Sequence, residues 1–336
     1  MRNFSKRFPK CYLSRLKLEG AIFQNNINFN KIKFINKNNK ILLDNLYLNN
    51  LYKILKVEKL FISLINDNKI KNEILISNIN NNYIIEGKSF DFSFYLNELL
   101  KSSSQDTALN IFDNLNSIFN INIVDVYLDK NNLVKNLNGN IVIKNNLIND
   151  AEVSSLNTQN KKLKFTIKKA NGEKVTTLYT DNAEPFVKKF NFVKGFKNGS
   201  LDFYSVTKDN VSKSTLKIYD FNLKEVPILT KILSLASLQG IADLMTGEGI
   251  RFSDFEMNYE NKKELINISE IYAIGPAISI LMKGYVEKNK LVSLRGTLVP
   301  ATTINKTIGS IPFLGDLLVG KKIGEGVFGV SFKIKG

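Results

Sequence analysis

Apolar and polar residues alternate with a period of two through most of this chain, and the alternation is cut by Asn-rich reversals. Residues 1–90 read as strands such as KIKFINKNNKILLDNLYL and KLFISLINDNKIKNEILISNI, with Asn-Asn or Asn-Asp-Asn at the turns. A helical interval is predicted at about Phe94 to Phe119. There Leu96, Leu99 and Leu100, then Leu109, Phe112, Leu115 and Phe119, recur at spacings of three and four, and the Ser102–Ser104 run divides them. From Ile121 to Tyr179 the period returns to two. In the segment 162–168, Leu163, Phe165 and Ile167 face one way, while Lys162, Lys164, Thr166 and Lys168 face the other. One apolar and one solvated face is the pattern of an antiparallel sheet covered on a single side.

A short helix is predicted over Ala183 to Phe192, capped by Asp181 or Asn182 with Pro185 in its first turn. The hairpin SLDFYSVTKDNVSKSTLKIYDF then leads into a longer apolar helix, which starts near Pro227 and stops at Thr246-Gly247. Its apolar positions include Leu229, Ile232, Leu233, Leu235, Leu238 and Ile241, over more than half of its circumference. Such breadth fits burial in a sheet's concavity or insertion at a lipid interface. Strands follow at about 250–259, 264–274, 277–286 and 290–299, then a second helical interval, Thr303 to Val319, broken at Ile311-Pro312. The last strand places Phe328, Val330, Phe332 and Ile334 opposite Ser331, Lys333 and Lys335. The expected fold is mainly β with a few helices: a long curved antiparallel sheet carrying two apolar C-terminal helical segments. An apolar concave face too long for those helices to cover needs something else to fill it.

Composition narrows the chemistry. The chain has 336 residues, 43% hydrophobic and 23% charged, within the range of folded proteins. Its Asn, Lys and Ile enrichment fits an AT-rich coding genome, so the net charge of +16 does not by itself indicate nucleic acid. A field of that sign still favours anionic partners, lipid head groups included. Histidine is absent, which excludes His-containing triads and His metal sites, and the single Cys11 allows no intrachain disulfide. Trp is absent as well, leaving 23 Phe and 12 Tyr as the aromatic anchors. The start, MRNFSKRFPKCYLSRLKLEG, is basic without the apolar core of a signal or span, and Lys231, Gln239 and Asp243 interrupt the greasiest window.

Candidate motifs reduce to structural roles. Gly320-Lys321-Lys322-Ile323-Gly324-Glu325-Gly326 has a helix before it and a strand after it, the reverse of a phosphate loop, and reads as a turn. Thr246-Gly247-Glu248-Gly249 reads as a helix stop. Asp125 and Asp129 read as solvated or turn-capping carboxylates. The Lys161-Lys162 and Lys168-Lys169 patch near Phe165 reads as a solvated outer face, because Phe165 points away from it. These readings leave no catalytic constellation and call for no metal or cofactor.

The C-terminal third carries a set of local patterns: Asp220-Phe221, Leu235-Ala236-Ser237-Leu238, Gly249-Ile250-Arg251-Phe252, Gly275-Pro276, Gly296-Thr297-Leu298-Val299-Pro300 with Asn305, Ile311-Pro312-Phe313-Leu314-Gly315, and Gly324-Glu325-Gly326-Val327-Phe328. On these it resembles the C-terminal region of AsmA-like proteins, in the large YhdP-like group with the domain of unknown function DUF3971. The resemblance spans about residues 85–336 and is strongest after 215. It implies a sheet curved like a taco around an apolar groove, in a protein anchored in the inner membrane of Gram-negative bacteria. It also implies a periplasmic location and a part in moving phospholipid to the outer membrane. The N-terminal anchor and a short C-terminal continuation of relatives are not seen here, which fits a fragment of a longer protein.

The division expected is 1–90, N-terminal strands of the sheet; 91–215, a β-rich middle with a helical insert; and 216–336, the AsmA-like region. The expected function is non-enzymatic assistance to phospholipid transport between the two membranes and outer-membrane biogenesis. Phe165, Ile280, Leu294, Phe328, Val330 and Phe332 are expected to line the lipid track, and the helix at 228–245 to plug one end or dock at a membrane. Partners would be phospholipid, a membrane surface and the missing inner-membrane anchor, with no nucleic acid. A structural or assembly role in the envelope without lipid conduction is the alternative, and a basic nucleic-acid-binding protein stands third.

Overall fold

A computed structural model describes residues 15–23, 26–67, 69–93, 108–157, 162–187, 195–224, 249–276, 278–287, 290–300 and 330–335. Within these, the chain is mainly β and almost entirely antiparallel. It falls into two compact units, 1–169 and 170–336.

The strands of the first unit are β1 (Arg15–Phe23), β2 (Asn26–Asn36), β3 (Asn39–Asn49), β4 (Ile54–Ile65), β5 (Lys71–Ile79), β6 (Asn82–Asp91), β7 (Ser117–Tyr127), β8 (Leu133–Lys144), β9 (Leu147–Asn157) and β10 (Lys162–Ala170). Each pairs antiparallel with the next, except that β6 and β7 run parallel. The tight reversals explain the asparagines. Asn80-Asn81 and Asn145-Asn146 form two-residue loops in which both residues have positive φ, 53° and 63° in one and 50° and 60° in the other. That backbone matches the right-handed strand twist, and Asn tolerates it better than other non-glycine residues.

The parallel step needs a crossover, and its second half is described. Residues 108–111 form one 3-10 turn, Phe112 bridges to Ile54, and the Asp113 N–H donates to the Ile54 carbonyl at 2.8 Å. Asn146 holds this segment down: its Oδ1 accepts from the Leu115 N–H at 2.6 Å and its Nδ2 donates to the Phe112 carbonyl at 3.0 Å. Leu115 thereby joins Leu46, Val57, Tyr83 and Ile143 in a buried cluster, with Phe29, Leu109, Phe112, Phe119 and Ile141 packed around it.

The helix predicted over 94–119 is corrected here at its C-terminal end, where Ser117–Phe119 open β7. The alternation Phe119, Ile121, Ile123 already runs through that stretch, and β-branched residues at a period of two prevail over the three-four spacing of Phe112, Leu115 and Phe119. Residues 94–107 lie outside the described residues.

The second unit contains β11 (Glu173–Thr180), β12 (Phe196–Lys208), β13 (Val211–Leu223), β14 (Ile250–Lys262), β15 (Leu265–Ile274), β16 (Ile278–Glu287), β17 (Leu291–Pro300) and β18 (Val330–Lys335), each antiparallel to the next. One helical turn, α1 (Glu184–Val187), buries Pro185, Phe186 and Val187. The Ala183 carbonyl accepts from the N–H groups of Phe186 and Val187 at 3.1 and 3.0 Å. Its predicted continuation to Phe192 and both apolar C-terminal helices, 226–245 and 303–319, lie outside the described residues.

Candidate functional site

Strand registers turn the one-dimensional alternation into continuous apolar rows. In the first unit one row runs from β2 to β10 through Ile32, Leu43, Leu60, Ile76, Ile85, Ile121, Gly139, Val153 and Phe165, each the register partner of the next. A neighbouring row passes through Tyr83, Phe119, Ile141, Ala151 and Ile167. The long row lacks a side chain at Gly139 alone. A Cβ there would stand 2.1 Å from the Glu152 carbonyl oxygen, so the close approach of β9 requires glycine.

The second unit repeats the arrangement. Leu178, Phe203, Leu216, Met257, Ile271, Met282, Gly296 and Phe332 are successive register partners from β11 to β18. Beside them run Leu201, Ile218, Phe255, Ala273, Ile280 and Leu298. Again one glycine interrupts the first row: a Cβ on Gly296 would meet the Met282 Cγ at 2.6 Å and the Phe332 ring at 2.9 Å.

Along the strands this second face is graded. At one end Phe196, Ile250, Phe252 and Ile278 are buried, with Phe221 stacked between Phe196 and Phe252 at centroid distances of 5.2 Å to each. The middle, from Phe203 and Leu216 through Met257 to Met282 and Phe332, is half-buried except at the buried Ile271. At the β11–β14 side of the other end the same face turns to hydroxyls. Ser205 and Ser214 are hydrogen-bonded at 2.8 Å, Tyr259 is the register partner of Ser214, and Thr207 and Ser212 pair at 2.8 Å. Burial pushes the Tyr259 phenol up, against the opposing effect of its Ser214 hydrogen bond.

The expected track residues divide accordingly. Ile280, Leu294 and Phe332 share the half-buried face of the second unit, and Phe165 lies in the long row of the first. Val330 is the backbone partner of Leu298. Phe328 and the helix residues Leu229, Ile232, Leu233, Leu235, Leu238 and Ile241 lie outside the described residues. Sequence reading missed Phe203, Leu216, Met257 and Ile271, although alternation in the hairpin 200–221 signals the first two.

The opposite faces carry charge, and cross-strand alternation neutralises much of it. Lys31, Asp44 and Lys59 are register partners in the first unit, as are Asp202, Lys217 and Glu256 in the second. Glu256 collects the Tyr272 hydroxyl at 2.6 Å, the Asn258 amide at 2.9 Å and the Lys217 ammonium at 3.1 Å. Burial raises its carboxyl, but these donors and the Lys217 charge outweigh that and hold it below the ordinary range. Burial, then the Glu256 hydrogen bond, drives the Tyr272 phenol upward. On β10, Lys164 and Lys168 pair with Glu152 and Asp150 at 3.1 and 3.2 Å, on the face away from Phe165. Asp125 pairs with Lys135 at 2.8 Å, and Asp129 caps its turn by accepting the N–H groups of Asn131 and Asn132.

Among the described residues no helix is long and apolar enough to cross a membrane. Comparisons with protein-family models, with curated proteins and with solved structures found no match.

Proposed function

We propose that this chain is a non-enzymatic envelope protein of the AsmA-like kind, whose apolar sheet faces hold phospholipid acyl chains on their way between the inner and outer membranes. The observation that carries the reading is the apolar row Phe203, Leu216, Met257, Ile271, Met282 and Phe332, half-buried except at the buried Ile271 and linked in register across the second unit, with Gly296 between its last two members. Keeping an acyl chain dry is worth about 0.8 kcal/mol per methylene, so a row without polar interruption is what such a chain requires. The hydroxyl end of the same face suits a head group, and the closed aromatic end suits a chain terminus. In this reading the apolar faces work in the periplasm.

The test is lipid extraction and native mass spectrometry of protein purified gently without detergent. Phospholipid should copurify with the wild type. It should fall sharply in a variant carrying Ile280→Asn, Leu294→Asn and Phe332→Ser whose circular dichroism is unchanged. Absence of bound phospholipid, or equal amounts in both proteins, would sink the reading in favour of a structural role.

A further inference from the structure

Polar-face charges alternate in sign across the strands in two places, Lys31–Asp44–Lys59 and Asp202–Lys217–Glu256. At β16–β18 they do not. Lys283 is the register partner of Arg295, and Arg295 of Lys333, so three cations stand side by side on consecutive strands. All three are exposed, and none enters an ion pair among the described residues. Lys335 lies one pleat along the same face, level with Ser293 and the exposed Tyr285. Among the described residues, carboxylates reach only the margins, Glu287 on β16 and Glu270 at the bulge opposite Lys283.

Like charges directly opposite on neighbouring strands are destabilising, and their side chains stand about 5 Å apart. The sequence accepts that repulsion here while avoiding it in the two alternating rows, and an external anion would relieve it. We propose that the polar face of β16–β18 rests on an anionic lipid surface. The patch is a sheet face with cations spread over three strands, and not a cleft that would clamp a single phosphate. Tyr285 at its edge supplies the ring-and-hydroxyl character suited to a lipid–water boundary. The other side of these strands carries Ile280, Leu294 and Phe332, so a bilayer docked this way would lie across the sheet from the apolar rows. The docking stands without that neighbour: it is read from vesicle binding alone, whereas the lipid-carrying role is read from copurified lipid.

Flotation of the full chain should show binding to phosphatidylcholine vesicles containing phosphatidylglycerol, weakening as salt rises, and little binding to phosphatidylcholine alone. Each cation near such a surface contributes about fivefold in affinity, so Lys283→Ser, Arg295→Ser and Lys333→Ser together should weaken binding on the order of a hundredfold. Their removal also relieves repulsion, so folding should be kept. The double variant Lys31→Ser and Lys59→Ser should bind nearly as the wild type does. Equal binding to neutral vesicles overturns the proposal, as does an unaffected triple variant or a DNA duplex that displaces the vesicles at equal phosphate concentration.

Discussion

Tyr83 stacks on Phe119 at a centroid distance of 4.8 Å and an interplanar angle of 15°, across the parallel step between β6 and β7. The pair sits beneath the crossover residues Leu109, Phe112 and Leu115 and fastens the point where the meander changes direction. The Val57 N–H also donates to the Tyr83 hydroxyl, at 3.4 Å.

Tyr83→Ala should therefore cost about 3–5 kcal/mol in urea unfolding, the scale of a large buried aromatic. Tyr83→Phe removes one long hydrogen bond and should cost about 1 kcal/mol or less. A double-mutant cycle with Phe119→Leu should return a coupling of about 1 kcal/mol, the excess that a ring pair carries over its buried area. No measurable coupling would mean that the stacking is incidental.

Asn145 and Asn146 share one turn but carry different duties. Both have positive φ, which glycine adopts freely, while Asn146 alone of the two clamps Leu115 and Phe112 through its side chain. Asn145→Gly should change stability by less than about 0.5 kcal/mol, and Asn146→Gly should lose about 1–3 kcal/mol through the groups left unpaired. Equal effects in denaturant titrations would show that the turn, not the clamp, sets the cost.

Gly139→Ala should be severe. The added methyl group would stand 2.1 Å from the Glu152 oxygen and 2.7 Å from the Val153 Cα, both backbone atoms that cannot swing aside. A loss of at least about 2 kcal/mol is expected, from forcing β8 and β9 apart. Gly172→Ala is the control: its φ is +78° but nothing lies within 4 Å, so it should lose about 1 kcal/mol from the backbone alone. Thermal melts of the two variants give the comparison.

Glu256 makes stability depend on acid in a predictable direction. Its folded carboxyl titrates below the unfolded one, so its contribution is complete above the ordinary Glu range and is lost as pH falls through the lower folded value. The wild-type urea midpoint should fall between about pH 6 and pH 3, and Glu256→Gln should flatten that part of the curve. A Gln variant with an unchanged acid limb would assign the pH dependence to other carboxylates.

The sequence spoke clearly wherever the chemistry is local. Alternation around Leu163, Phe165 and Ile167 placed Phe165 opposite Lys164 and Lys168, and the Asn pairs marked reversals because a two-residue hairpin needs left-handed backbone. Ile280, Leu294 and Phe332 were assigned to apolar strand faces, and the registers bring them to one face. What stayed hidden is non-local. The link from Phe203 to Leu216, Met257 and Ile271 exists through cross-strand register, which no single strand encodes. Phe119 was misread because three apolar residues at helical spacing preceded a strand whose own alternation had already begun. The charge triads were invisible for the same reason as the rows, since Lys283, Arg295 and Lys333 become neighbours only after pairing.

The two-residue turns have one more consequence. Within each unit, the backbone ladders among the described residues join each strand only to the strands before and after it, so a hairpin behaves as an interchangeable tile. Adding or deleting one such tile would move the sheet's edge by two strand spacings, about 9.6 Å, and leave every other register intact. Evolution can therefore set the reach of such a sheet in fixed increments, without redesigning any strand already present.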